Sequence, residues 1–125
     1  MNLNQITIYS NKPTESIEFY KKLGLLLIVD SAPRYVRFEC PDGDSTLSIH
    51  ETDESSNVSN IVLYFECDNL DEEVKRLKDF GLTFEQEPTD QTWLWREAYL
   101  FDPSGNKIIL FYAGENRKNP PWRIN

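Results

Sequence analysis

The sequence predicts an α+β domain in which one unit, a strand, a helix and three further strands, occurs twice. Three observations carry this reading: runs in which polar and apolar residues alternate, two short helical stripes each closed by a glycine, and the return of the same order of signals after a polar stretch in mid-chain. The chain of 125 residues fits one domain. At that size folding buries roughly two-thirds of the unfolded surface, enough for a real core.

The first unit spans about residues 1–52. Ile6 and Ile8 alternate with Gln5, Thr7 and Tyr9, the pattern of a half-buried strand. Pro13 suits a first helical turn, Ile17, Tyr20 and Leu23 recur at helical spacing, and Gly24 can adopt the left-handed conformation that stops a helix, so a helix is expected over 13–23. Strands follow at 25–29, at 35–40 with Val36, Phe38 and Cys40 inward, and at 46–50 after the turn Pro41-Asp42-Gly43.

The polar stretch 52–59 reads as a connector, and the order then restarts over about residues 60–112. A strand is expected at 60–66. Asn69 with Glu72 resembles a capping box, Leu70, Val74 and Leu77 form the helical stripe, and Gly81 closes it. Three strands follow at 83–87, 95–101 and 107–112, the last two joined by Asp102-Pro103-Ser104-Gly105. Lys22-Leu23-Gly24-Leu25 and Asp79-Phe80-Gly81-Leu82 close the two helices alike, and a Pro-x-Gly turn precedes the last strand of each unit.

Alternation also assigns the strand faces. Ile6, Ile8, Leu47, Ile49, Ile61, Leu63, Phe65, Ile108 and Leu110 form an aliphatic face expected to pack on the helices. The other face carries Gln5, Thr7, Tyr9, Ser48, His50, Asn60, Val62, Tyr64, Ile109 and Phe111. That mixture of polar groups and aromatics suits the wall of a ligand cleft better than bulk water or a dry core.

The net charge of −8 repels phosphate backbones, and the few basic residues form no aromatic-interleaved stripe, so a nucleic-acid partner is not expected. No apolar run is long enough to span a bilayer and the first residues lack the pattern of a signal peptide, which predicts a cytoplasmic protein without a membrane partner. Cys40 and Cys67 lie in strand-like runs without C-x-x-C spacing and read as small buried hydrophobes.

Ser16 to Gly24 (SIEFYKKLG) resembles, with one residue fewer before the Leu-Gly pair, the S-x-x-F-Y-x-x-x-L-G helix of the vicinal oxygen chelate superfamily, which includes glyoxalase I, bleomycin resistance proteins and extradiol dioxygenases. Asp102-Pro103-Ser104-Gly105-Asn106 resembles its D-P-x-G-N turn. The resemblance implies two βαβββ modules forming a curved mixed-sheet cup, commonly as a homodimer. In the enzymes of that superfamily the cup holds a divalent metal on four side chains. The resemblance places those positions at Gln5, Ser48, Asn60 and Ile109, where the family usually carries His or Glu. Isoleucine cannot ligate, and Ser and Asn are weak neutral donors for Zn²⁺ or Ni²⁺. Only Gln5 resembles a tolerated replacement.

The expectation is therefore a small-molecule-binding protein of the glyoxalase/bleomycin resistance type, without the standard metal site and with no cofactor. Its ligand-binding residues are Gln5, Thr7, Tyr9, Ser48, His50, Asn60, Tyr64, Trp95, Ile109 and Phe111. The alternative is a glyoxalase-like lyase, an isomerase or a dioxygenase with a non-standard divalent metal site. His50, the sole histidine, would share the cleft with Ser48 and Glu66, yet one imidazole and one carboxylate make an incomplete site. Trp93, Trp95 and Arg96 read equally as a clamp for a flat or anionic ligand and as a closure of the cup or dimer seam. The tail, 113–125, carries two consecutive prolines and is expected to run extended with Trp122 as an anchor.

Overall fold

The structure, a computed structural model, describes residues 1–54 and 60–124. The chain forms two compact units, Met1–Ser59 with Asp102–Asn106, and Asn60–Phe101 with Lys107–Asn125. Each is a βαβββ module with one four-stranded mixed sheet, the α+β architecture expected from the repeat. Part of the expected connector, residues 55–59, lies outside the described residues.

The first unit runs β1 (Gln5–Ser10), α1 (Pro13–Leu23), β2 (Leu26–Ser31), β3 (Tyr35–Glu39) and β4 (Thr46–Glu51), with sheet order β1-β4-β3-β2. Strand β1 lies parallel to β4, the pairing that a helical crossover permits, and the remaining pairs are antiparallel. Helix α1 ends where Gly24, at φ 111°, points its N–H back to the Lys21 carbonyl. The inward residues Ile8, Val36, Phe38, Leu47 and Ile49 are buried, as are Ile17, Phe19, Tyr20 and Leu23 of α1, which packs on β4. Cys40 falls just beyond β3 and is half-buried, and Cys67 is half-buried too, so neither is the core residue expected.

The two sequence motifs meet in this unit. The Tyr20 hydroxyl donates to Asp102 Oδ2 at 2.6 Å, and that oxygen also accepts from Asn106 Nδ2 at 2.9 Å. Asp102 Oδ1 takes the backbone N–H groups of Ser104 and Asn106, both at 2.9 Å. Beside them the hydroxyls of Ser10, Ser16 and Ser104 bond one another at 2.6 to 3.3 Å. Tyr20, Ser10, Ser16, Asp102 and Asn106 are all buried, so the cluster satisfies its polar groups internally. Burial, then the Asp102 charge and hydrogen bond, pushes the Tyr20 phenol well above its ordinary value.

The second unit runs β5 (Leu63–Glu66), α2 (Leu70–Asp79), β6 (Gln86–Asp90), β7 (Arg96–Phe101) and β8 (Lys107–Tyr112), followed by a short 3-10 turn, Gly114–Arg117. Its sheet order is β5-β8-β7-β6, with β5 parallel to β8. Helix α2 packs on β6, β7 and β8 through the buried Leu70, Val74 and Leu77.

Four expectations need correction in this unit. Strand β5 begins at Leu63 rather than at residue 60, because its ladder with β8 starts at the Leu63–Ile108 pair and β8 itself begins only at Lys107. Ile61 is accordingly 62% exposed and does not pack on the helix. Strand β6 starts three residues later than the sequence suggests and includes Pro88, which is tolerated because β6 is an edge strand with an irregular register there. Asn69 stands at the N-cap, but its side chain makes no capping bond, so no capping box forms. The tail begins with a 3-10 turn instead of running extended, since the Glu66 carboxylate accepts the N–H groups of Ala113 and Gly114 at 2.9 Å, and Trp122 is 57% exposed rather than buried as an anchor would be.

Candidate ligand-binding site

In the first unit, strand register places Gln5 beside Thr46, Thr7 beside Ser48 and Tyr9 beside His50, with Tyr35 and Arg37 on the same face from β3. This face is a hydrogen-bonded polar array. Gln5 Nε2 donates to the buried Ser48 hydroxyl at 2.9 Å, Ser48 and the Tyr35 hydroxyl lie 2.7 Å apart, and Arg37 Nε donates to the Tyr35 oxygen at 2.9 Å. The Thr46 hydroxyl donates to the Gln5 side-chain oxygen, Oε1. The Ser48 hydrogen bond, reinforced by the Arg37 hydrogen bond and charge, outweighs partial desolvation and lowers the Tyr35 phenol below its ordinary value. The His50 ring lies 5.7 Å from that of Tyr9 and 4.9 Å from that of Tyr35, centroid to centroid.

In the second unit the equivalent face is aromatic. Trp95 stacks on Phe111 at 4.7 Å, and Tyr64 stands edge-on to both, at 6.0 and 5.5 Å. Ile109, Phe111 and Ala113 form a buried cluster against which Trp95 and Tyr99 pack. Opposite Phe111 in the ladder sits Glu97, whose Oε2 accepts the Trp93 indole N–H at 2.9 Å. Burial, then the Glu97 charge, raises the Tyr64 phenol. Glu66 is committed to the tail turn and lies 3.5 Å from Arg117.

Thus Gln5, Thr7, Tyr9, Ser48 and His50 share one face of the first unit, and Tyr64, Trp95, Ile109 and Phe111 share one face of the second. Asn60 precedes β5 by three residues, and register makes Val62 the counterpart of Gln5, because Gln5 pairs with the first residue of β4 and Val62 precedes the Leu63–Ile108 pair by one. Arg96 does not join the tryptophans. It points with Ala98 and Leu100 toward the helix side, where it holds Asp71 and Asp90, and these bonds raise its already high pKa further. There it borders a shallow groove with Asp71, Lys75, Lys78 and Glu87, whose Lys78 and Glu87 pair with each other. Sequence reasoning singled out Trp93 but missed Tyr35, Arg37, Glu97 and Tyr99. The signal was present as parity: Glu97 and Tyr99 alternate in step with Trp95, and Tyr35 and Arg37 out of step with Val36 and Phe38.

The family model of the Glyoxalase/Bleomycin resistance protein/Dioxygenase superfamily matches residues 2–110, and the chain belongs to that superfamily. Solved structures share the fold. A glyoxalase/bleomycin resistance protein/dioxygenase from Nocardioides is 21% identical over 100% of this chain and 90% of its own, with a TM-score of 0.79. A lactoylglutathione lyase from Agrobacterium tumefaciens is 20% identical over 89% and 92%, with a TM-score of 0.73. A bleomycin-binding protein complexed with bleomycin is 20% identical over 90% and 98%, with a TM-score of 0.69. No curated protein matches the chain.

The metal that the superfamily implies does not fit these residues. Ile109 offers no lone pair, and neither does Val62 at the position register assigns to the second unit's first ligand. Gln5 and Ser48 are neutral oxygen donors already bonded to Thr46, Tyr35 and each other. Among the described residues no group of three or more His, Cys, Asp or Glu could hold a metal ion, and no helix is long and apolar enough to cross a membrane.

Proposed function

We propose that this chain is a small-molecule-binding protein of the glyoxalase/bleomycin resistance type that works without the standard metal ion. The observation that carries this reading is the aromatic face of the second unit, where Trp95, Phe111 and Tyr64 interlock while Tyr64 stays 49% exposed. Rigid rings that keep solvent-facing area bind flat organic ligands at little entropic cost. On the first unit, Gln5, Thr7, Tyr9, Ser48 and His50 supply hydrogen-bonding groups for recognition. The bleomycin-binding relative supports the reading by its fold. The alternative of a lyase, isomerase or dioxygenase with a non-standard divalent metal site is less favoured, because among the described residues no group of three or more His, Cys, Asp or Glu could hold the ion.

The test is a tryptophan-fluorescence and thermal-shift screen of aromatic small molecules, bleomycin included, with Trp95→Ala as control. A binder should quench fluorescence and raise Tm, by about 2.7 kcal/mol of added stability at a hundredfold excess over Kd, and Trp95→Ala should abolish both effects. Failure of every compound to shift Tm would remove the reading. A homodimer in the cytoplasm completes the proposal, and a monomeric mass by light scattering would remove the dimer.

A further inference from the structure

Glu97 is only 7% exposed, and the one hydrogen bond to its carboxylate among the described residues comes from the neutral Trp93 indole. No Lys, Arg or His of the described chain forms an ion pair with it, whereas Glu66, Glu73, Glu87, Asp71 and Asp90 all have cationic partners. A carboxylate withdrawn from water without a cation is costly, and the cost is offset when a positive charge arrives. Glu97 lies opposite Phe111, between Trp95 and Tyr99 in strand order. Its charge is felt at Tyr64. Aromatic faces attract cations in their own right, most strongly where water is excluded.

We infer that the aromatic face recognises an organic cation, a quaternary or protonated amine carried on a flat apolar body, with Glu97 as the counter-charge and Trp95, Phe111 and Tyr64 as the walls. This rests on the reading of that face as a ligand site. Trp93 is the positioning residue, since its indole N–H fixes one carboxylate oxygen and leaves the other for the incoming cation. The net charge of −8 favours the approach of such ligands.

The experiment compares phenyltrimethylammonium, its uncharged isostere tert-butylbenzene, and benzoate by tryptophan fluorescence and calorimetry, on the wild type and on Glu97→Gln. The expected result is that the cation binds roughly tenfold or more tightly than the isostere, that benzoate binds weakest, and that Glu97→Gln removes the preference while tert-butylbenzene keeps its affinity within about twofold. Because the ranking of the probes is read on the wild type, the inference stays exposed to failure even where Glu97→Gln does not fold. Equal binding of cation and isostere, or preference for benzoate, overturns the cation assignment and leaves the aromatic site standing. No binding of any probe overturns the cation assignment, and the broader ligand screen then decides the site itself.

Discussion

Tyr35 sits where three side chains of the first unit converge, and its behaviour follows from them. Ser48 and Arg37 both favour the phenolate, so its folded-state pKa lies below the unfolded value of about 10. A depressed acid stabilises the fold above its unfolded pKa, and that contribution is lost as pH falls through the folded value. Phenolate absorbance should therefore show one tyrosine ionising ahead of the rest. Tyr35→Phe should remove that early step and Arg37→Gln should move it upward, and superimposable titrations of wild type and Tyr35→Phe would refute the account. Tyr20 is the opposite case: its raised pKa makes its contribution complete below the unfolded value and lost as pH rises through the folded one. Tyr20→Phe deletes a buried hydrogen bond to a carboxylate, which should cost about 1.5–3 kcal/mol in chemical denaturation.

At the scale of elements, α2 separates what sequence expresses from what it does not. Its apolar stripe is plain in the letters because burial is periodic, and Leu77, fully buried, carries the packing. Leu77→Ala should cost about 2–5 kcal/mol. Its start looks equally plain but works differently, since Asn69 makes no side-chain cap bond. Asn69→Ala should cost about 0.5 kcal/mol or less, below the ~1 kcal/mol of a functioning cap, when the two are compared by urea denaturation. The ends of β5 and β6 were illegible for a related reason. Where a strand stops depends on how far its partner runs, and whether Pro88 breaks it depends on whether the strand is an edge, neither of which is local information.

For the whole molecule, the repeated order of elements was legible because each unit writes the same alternation and the same glycine stop. The polar residues of the first unit's candidate face were legible as well, whereas Glu97 was not singled out, because a glutamate in a strand looks like surface until its neighbours prove to be Trp93 and Phe111. Strand register within each unit also points to Val62 instead of Asn60 at the second unit's first metal-equivalent position. From the donors at those positions, adding Zn²⁺, Ni²⁺ or Fe²⁺ should leave Tm unchanged, and elemental analysis of the purified protein should find no stoichiometric metal. A stoichiometric ion would overturn the metal-free reading.

The bonds from Tyr20 and the serines to the Asp102–Asn106 turn bear on how kinship and chemistry separate in such a chain. Ser16, Tyr20, Asp102 and Asn106, central among the letters that announce descent, are buried and engaged with one another and with the turn, away from the two candidate faces. Selection for a new ligand can rewrite the exposed faces without disturbing them. A sequence search keyed to those letters therefore reports lineage and is blind to vocation.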